Sequence, residues 1–114
     1  FATVARRSMR PNDVLGRIGG EEFVVLLHGS GMEAAVAIAE RMRKSLQQAA
    51  EFVDGKRVGA TMSAGVATSA SSTNLEAVLK EADTALYRAK QNGRDRVEAA
   101  DDSNSGQTAV VRVA

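Results

Sequence analysis

The sequence predicts an α+β domain in which helices pack on the faces of an antiparallel sheet. Apolar residues recur at helical spacing in two stretches, residues 35–46 and 75–89, which indicates two amphipathic helices. Short apolar runs separated by turn residues indicate strands that are joined as hairpins. The predicted order is helix, strand, strand, helix, strand, strand, helix, which is typical of the α+β class.

Composition limits the kind of protein that this chain represents. Its 114 residues suit one compact domain, and 44% hydrophobic with 25% charged residues is typical of soluble domains. The formal net charge of +1 gives no electrostatic reason to expect a nucleic-acid or membrane partner. The sequence has no apolar run near the ~20 residues that span a bilayer. It also has no cysteine, which excludes disulfides and thiol chemistry and fits a cytoplasmic location.

The first elements are a helix and a hairpin. The opening helix should end at Arg10, because Pro11 disfavours helical geometry in the residue before it. A strand is predicted over residues 14–18 and a second one, with a continuous apolar run, over residues 23–27. The glycine-led turn 19–22 between them predicts a hairpin.

Turn and capping signals define the remaining elements. Ser30 and Glu33 have the spacing of a capping box, so a helix begins there and runs to about Gln48. A short strand near residue 52 should turn into a longer strand over residues 58–68. Within that strand, a single glycine, Gly65, indicates a bulge or a close backbone approach. Thr73 should cap the last helix, which ends at Asn92-Gly93, and a final strand starts near Arg96.

The domain is predicted to comprise residues 1–98, followed by a polar, mobile tail over residues 99–114. An apolar run within that tail, residues 108–113, leaves pairing with a sheet edge open. The chain opens at Phe1 within a helical pattern, so we expect it to be an excised or processed piece of a longer protein.

The hairpin tip carries the most informative residues. Gly19 and Gly20 have no Cβ and let a backbone approach a bulky anion closely. The adjacent carboxylates of Glu21 and Glu22 repel each other and need a counter-ion, such as a divalent cation bound through oxygen. The alternative is a solvated loop with two exposed glutamates, which the residue types alone favour.

Charged residues elsewhere allow two interpretations each. Lys90 and Arg94, at the end of the last helix, either complement the helix dipole or clamp a polyphosphate. Arg10 and Asp13 form a cation–carboxylate pair three positions apart that means little alone. His28 follows an apolar strand and should mark its end.

Together, three separated motifs resemble the GGDEF family. Residues 19–23, Gly-Gly-Glu-Glu-Phe, resemble its signature in the variant with Glu at the third position. Residues 61–67 resemble the strand after its central helix, and residues 82–97 resemble its C-terminal signature. The resemblance covers residues 1–97 and implies a palm-like fold and a diguanylate cyclase, which condenses two GTP molecules into cyclic di-GMP and pyrophosphate.

The resemblance also implies roles for individual residues. Glu21 would bind metal, and Glu22 would bind metal or activate the attacking 3′-hydroxyl. Gly19 and Gly20 would admit the GTP phosphates, whose terminal groups Lys90 and Arg94 would hold. The implied cofactor is Mg²⁺ or Mn²⁺, and the competent species is a homodimer with one GTP in each domain.

A second implied site binds the product. Arg10 and Asp13 match the family's inhibitory RxxD motif, which lies just ahead of the signature. Arg41, on the central helix, matches the position of a further arginine of that site. The resemblance therefore implies feedback inhibition by cyclic di-GMP.

The chain departs from the family because no residue matches its upstream metal-binding aspartate or its guanine-reading asparagine and aspartate. We therefore expect the parent protein to be a cyclase and this chain alone to be inactive. Without an upstream strand, residues 23–27 would lack a neighbour, so the chain should associate or recruit its own tail. The alternatives are a catalytically silent receptor for cyclic di-GMP or GTP, against which the intact signature argues, and a structural dimerisation domain.

Overall fold

A five-stranded mixed sheet lies between helices in the computed structural model, which describes residues 2–20, 22–29, 31–48, 51–53, 56–58, 60–69, 74–100 and 108–114. In chain order the elements are α1 (Ala2–Arg7), β1 (Val14–Gly19), β2 (Glu22–His28), α2 (Met32–Gln48), β3 (Glu51–Val53), β4 (Lys56–Val58), β5 (Ala64–Ser69), α3 (Leu75–Gln91), β6 (Val97–Ala99) and β7 (Thr108–Val113). The predicted α+β class is confirmed.

The large sheet has the strand order β1-β2-β7-β5-β6, and β3 pairs with β4 in a separate two-stranded sheet. Three of the four strand pairs in the large sheet are antiparallel, as predicted. The fourth pair, β5 with β6, is parallel, so the sheet is mixed. A parallel pair requires a crossover connection, and α3 supplies it.

The two long helices cover opposite faces of this sheet. Val25 and Leu27 of β2 pack in one apolar core with Ala39 and Met42 of α2. The alternate residues of the same strand, Val24 and Leu26, pack against a second core that includes residues of α3. Side chains alternate between the two faces of a strand. Because both faces of β2 are covered, its apolar residues form a continuous run, as predicted for a central strand.

The C-terminal strand β7 lies at the centre of the sheet, antiparallel to both β2 and β5. The core that packs against α2, called the α2 core, includes Ala109, Val111 and Val113. The core that packs against α3, called the α3 core, includes Val110. For residues 108–113 the structure therefore differs from the predicted polar tail. These residues form a strand because their apolar side chains are buried on both faces of the sheet. The chain's own C-terminal residues cover the edge of β2, one of the two outcomes expected for residues 23–27.

Several boundaries differ from the prediction. The first helix ends at Arg7 rather than Arg10. The predicted strand 58–68 is divided between β4 and β5, which belong to different sheets. The predicted cap Thr73 lies outside the described residues, and Asn74 caps α3 with its side chain accepting the Glu76 N–H at 2.8 Å.

The glycine in β5 permits close packing of α3. A Cβ added to Gly65 would lie 2.2 Å from both the Ala82 carbonyl oxygen and the Leu86 nitrogen. The close backbone approach predicted for Gly65 is confirmed. This close contact sets the distance between α3 and the sheet, and it therefore also sets the position of Asp83 over the middle of the sheet.

Candidate functional site

The strand register brings all three sequence motifs to one end of the sheet, which we call the hairpin end. Phe23, just after the hairpin tip, lies opposite Val113. Val113 lies opposite Ala64 on its other side, and Ala64 lies opposite Val97. The hairpin tip, the start of β5 and the loop that precedes β6 therefore share this end.

A side chain of β1 stabilises the β1–β2 turn by hydrogen bonding to the backbone of the turn. Arg17 donates from Nε and Nη2 to the Gly20 carbonyl oxygen, at 3.0 and 2.7 Å. Gly20 has a φ of +52°, in the left-handed region that glycine adopts without a Cβ penalty. The predicted metal ligand Glu21 lies outside the described residues. The turn is thus preorganised on the described side of the signature.

Glu22 shares a cation with Asp83 of α3. Arg112 of β7 places Nη2 3.5 Å from the Glu22 carboxylate and donates from Nε to the Asp83 carboxylate. The two carboxylates are about half exposed, whereas the Arg112 side chain is only 13% exposed. Arg112 Nη1 is buried, and within the part of the chain that the structure describes it has no hydrogen-bond partner.

This arrangement bears on the implied divalent cation. The described residues contain no group of three or more His, Cys, Asp or Glu side chains placed to hold a metal. Glu22 already faces a guanidinium, and a second cation beside it would be repelled by Arg112. The described side chains, as they are arranged here, do not fit the metal that the sequence motif implies.

The loop after α3 carries the second predicted pair. Lys90 lies in the last turn of α3, and the Arg94 N–H donates to the Ala89 carbonyl oxygen at 2.9 Å. Gly93, Arg94 and Asp95 have φ values of +119°, +62° and +45°. The last two are left-handed residues with a Cβ, which is a strained conformation that surrounding contacts must hold.

Arg43 of α2 supplies such a contact. Its Nη1 lies 3.1 Å from the Asp95 carboxylate, and its Nε and Nη2 donate to Glu40 on the same helix. These hydrogen bonds, first to Glu40 and then to Asp95, raise the pKa of Arg43 above its ordinary value. Arg43 therefore ties the strained loop, and the exposed Arg94 within it, to the central helix.

Two of the predicted inhibitory residues, Arg10 and Asp13, lie at the opposite end of β1 and β2. The side chain of Asp13 is buried, and its carboxylate accepts the backbone N–H groups of Arg10 and His28 at 2.9 and 3.3 Å. Arg10 pairs with Asp13 at 3.6 Å and donates from Nη2 to the His28 carbonyl oxygen at 2.7 Å. Arg41 is exposed on α2. His28 ends β2, as predicted.

A cavity of about 390 Å³ opens beside the hairpin on the α2 face of the sheet. Phe23, Leu46, Met62 and Val113 form its apolar lining, and Arg17 with Gly20 of the turn borders it. Arg112 lies in the opposite face, because it alternates along β7 with Val111 and Val113. The hairpin end thus offers an apolar recess on one face and a charged cluster on the other.

Two functional candidates, Arg112 and Arg43, were missed in the sequence. A signal for Arg112 was present, since it is the one charge in the apolar run Thr-Ala-Val-Val-Arg-Val. Such a charge in a buried strand requires a partner. Arg43 offered no comparable signal, because charged residues are ordinary on an amphipathic helix.

Comparison with known proteins identifies the family. The sequence model for the diguanylate cyclase GGDEF domain matches residues 1–96. The chain belongs to the GGDEF family of diguanylate cyclases. Diguanylate cyclase A of Treponema denticola is 40% identical over 97 residues, which are 84% of this chain and 26% of that protein. Diguanylate cyclase DgcP of Pseudomonas aeruginosa is 42% identical over 95 residues, 83% of this chain and 14% of that protein.

Solved structures of GGDEF proteins share the fold. Diguanylate cyclase SiaD of Pseudomonas aeruginosa, solved with its activator SiaC, gives a TM-score of 0.79 at 33% identity, covering 87% of this chain and 38% of that one. The GGDEF domain of DgcB from Caulobacter crescentus, solved with c-di-GMP, gives 0.76 at 27% identity, covering 89% and 61%.

The GGDEF chain described here spans about a quarter or less of these two curated relatives. Among the helices of its described residues, none has the length and hydropathy to cross a membrane.

Proposed function

We propose that this chain forms the phosphate-holding part of a cytoplasmic diguanylate cyclase domain, which condenses two GTP molecules into cyclic di-GMP in a bacterial signalling protein. The observation that carries the proposal is the convergence of the three motifs at the hairpin end. Backbone N–H groups, a lysine and an arginine at one sheet end suit a triphosphate, which carries several negative charges.

In this proposal each motif has a separate task. The glycines Gly19 and Gly20 allow the phosphates to lie against the turn. Lys90 and Arg94 hold the terminal phosphates, and Arg43 positions the Arg94 loop through Asp95. The apolar cavity beside Phe23 is large enough to accept part of the nucleotide.

The proposed reaction is nucleotidyl transfer. A ribose 3′-oxygen of one GTP forms a bond to the α-phosphorus of the other, and the bond from that phosphorus to the leaving oxygen breaks. Pyrophosphate departs, and the Glu22 carboxylate is the proposed acceptor of the hydroxyl proton. Repeating the step with the roles exchanged closes the cyclic dinucleotide, so two domains meet as a two-fold homodimer.

GGDEF diguanylate cyclases generally depend on a divalent metal. For the intact enzyme we propose Mg²⁺ or Mn²⁺, with Glu21 and Glu22 as ligands. In this chain Arg112 faces Glu22, so we assign no step to a metal and propose that the chain alone does not make cyclic di-GMP.

The opposite end of the hairpin is the proposed inhibitory site for the product. Arg10 offers an exposed guanidinium whose planar donors suit a phosphodiester, and Arg41 is the proposed second cation. Asp13 supports this site by fixing the backbone on either side of it. The c-di-GMP complex solved for the related DgcB domain supports product binding within the family.

A receptor function is the second candidate, and the Arg112 contact favours it. A chain whose Glu22 is bound by arginine retains its product-binding residues but has one catalytic carboxylate occupied. Binding of cyclic di-GMP without any GTP binding at the hairpin end would favour the receptor.

The phosphate clamp can be tested by calorimetric titration with a GTP analogue that resists hydrolysis. Arg94→Ala should weaken binding about tenfold or more, because a charge-assisted hydrogen bond contributes about 1.5–3 kcal/mol. Lys80→Ala is the matched control, since Lys80 is an exposed cation earlier on α3 and should leave the affinity unchanged. Equal affinities for the Arg94 variant and the parent chain, or no binding by either, would contradict the clamp.

A further inference from the structure

We propose that Arg112 determines whether Glu22 is available to a divalent cation, with its guanidinium serving as the resident counter-charge of the Glu22–Asp83 cluster. The inference rests on the proposed function only in taking Glu22 as a metal ligand. It is carried by the position of Arg112 on a central strand and by its two carboxylate contacts.

Two features make Arg112 a cation fixed by the fold rather than a member of a surface ion pair. It lies opposite Val24 on one side and Gly65 on the other, in the middle of the sheet. Its side chain is 13% exposed, whereas Glu22 and Asp83 are 44% and 52% exposed. The cation is therefore fixed by the fold, and the carboxylates reach it from the rim.

Gly65 and α3 complete this arrangement. The missing Cβ at Gly65 allows α3 to approach the sheet, and Asp83 follows the residue that makes this contact, Ala82. A guanidinium covered in this way cannot move into solvent without opening the contact between α3 and the sheet. A divalent cation bound by Glu22 in this position must therefore lie beside a fixed positive charge, and Glu22 escapes that charge only by breaking its ion pair with Arg112.

Electrostatic repulsion determines how Arg112 affects the binding of a divalent cation at Glu22. Two positive ions at close range in a partly buried site repel strongly, since the effective dielectric there is far below that of water. Removal of Arg112 would leave two carboxylates that are half exposed and can remain solvated. They would then be open to a cation that prefers oxygen ligands.

The test is a calorimetric titration of the full chain with Mn²⁺. Arg112→Gln and Arg112→Met should bind Mn²⁺ at least about tenfold more tightly than the parent chain. Arg7→Gln removes the same charge from an exposed site on α1 and should not change the affinity. Circular dichroism establishes that each variant retains its fold. Equal Mn²⁺ affinity in the parent chain and in a folded Arg112 variant would overturn the proposal.

A measurement on the unaltered chain covers the case in which neither variant folds. With Mn²⁺ present, the amide signal of Asp83, the α3 member of the Glu22–Asp83 cluster, should broaden no more than that of Glu33, an exposed carboxylate on α2. Selective broadening at Asp83 would refute the role of Arg112. GTP-analogue binding is not a readout here, so failure of the phosphate clamp and failure of this proposal are separable.

Discussion

Single side chains connect the sequence motifs of this chain, including the RxxD motif, to its fold. Asp13 is the clearest case, because the same carboxylate that matches a binding motif accepts two backbone N–H groups and is buried. A buried carboxylate with these contacts stabilises the turn into β1 whether or not a ligand is present. Of the RxxD pair, only Arg10 presents an exposed charge to a ligand.

Arg10→Ala should therefore weaken binding of cyclic di-GMP by about 10- to 100-fold, the loss expected for a hydrogen bond to a charged group. The substitution also removes the counter-ion of the buried Asp13 carboxylate and the hydrogen bond to the His28 carbonyl oxygen, so the free energy of unfolding should fall by about 1–3 kcal/mol. Calorimetric titration measures the first effect and thermal unfolding the second. Arg7→Ala is the control from α1, and an Arg10 variant that binds as tightly as this control would remove Arg10 from the site.

At the scale of elements, β7 contributes apolar packing to both cores. Val111 is fully buried in the α2 core, whereas Val14 on the edge strand β1 is 54% exposed. Val111→Ala should lower the free energy of unfolding by about 2 kcal/mol, because it removes two buried methyl groups and leaves a cavity. Val14→Ala should change it by about 0.5 kcal/mol or less.

Urea unfolding of the two variants measures the difference. The two substitutions remove the same atoms, so the difference between them reports how deeply each side chain is buried. Comparable effects at both positions would show that β7 does not occupy the centre of the sheet in solution.

The same element shows where sequence reasoning succeeds and where it fails. The hairpin, α2, α3 and Gly65 follow from local signals, because turn residues and apolar periodicity act within a few positions of the chain. The central position of β7 does not, since pairing between residues 23–28 and 108–113 depends on contacts across the chain. The polar residues before Thr108 favoured a tail, and only the apolar run itself indicated a strand.

At the scale of the whole molecule, six of the predicted site residues fall into two groups. The glycines, Lys90 and Arg94 lie at the hairpin end, and Arg10 and Asp13 lie at the other end of the same two strands. The motifs predicted this separation only through the family resemblance, because spacing in sequence carries no information on which sheet end a loop reaches. The strand register determines which sheet end a loop reaches, and the register is set by the hydrophobic pattern of strands that are distant in sequence.

The hairpin end of the sheet is the proposed binding site of the triphosphate. Mapping of backbone amide shifts during titration with the hydrolysis-resistant GTP analogue tests it most directly. The largest shifts should lie at Gly19, Gly20 and the loop from Lys90 to Arg94, and the His28 amide should not shift. Largest shifts around His28 and Asp13, or no shifts at the hairpin end at saturating analogue, would contradict it.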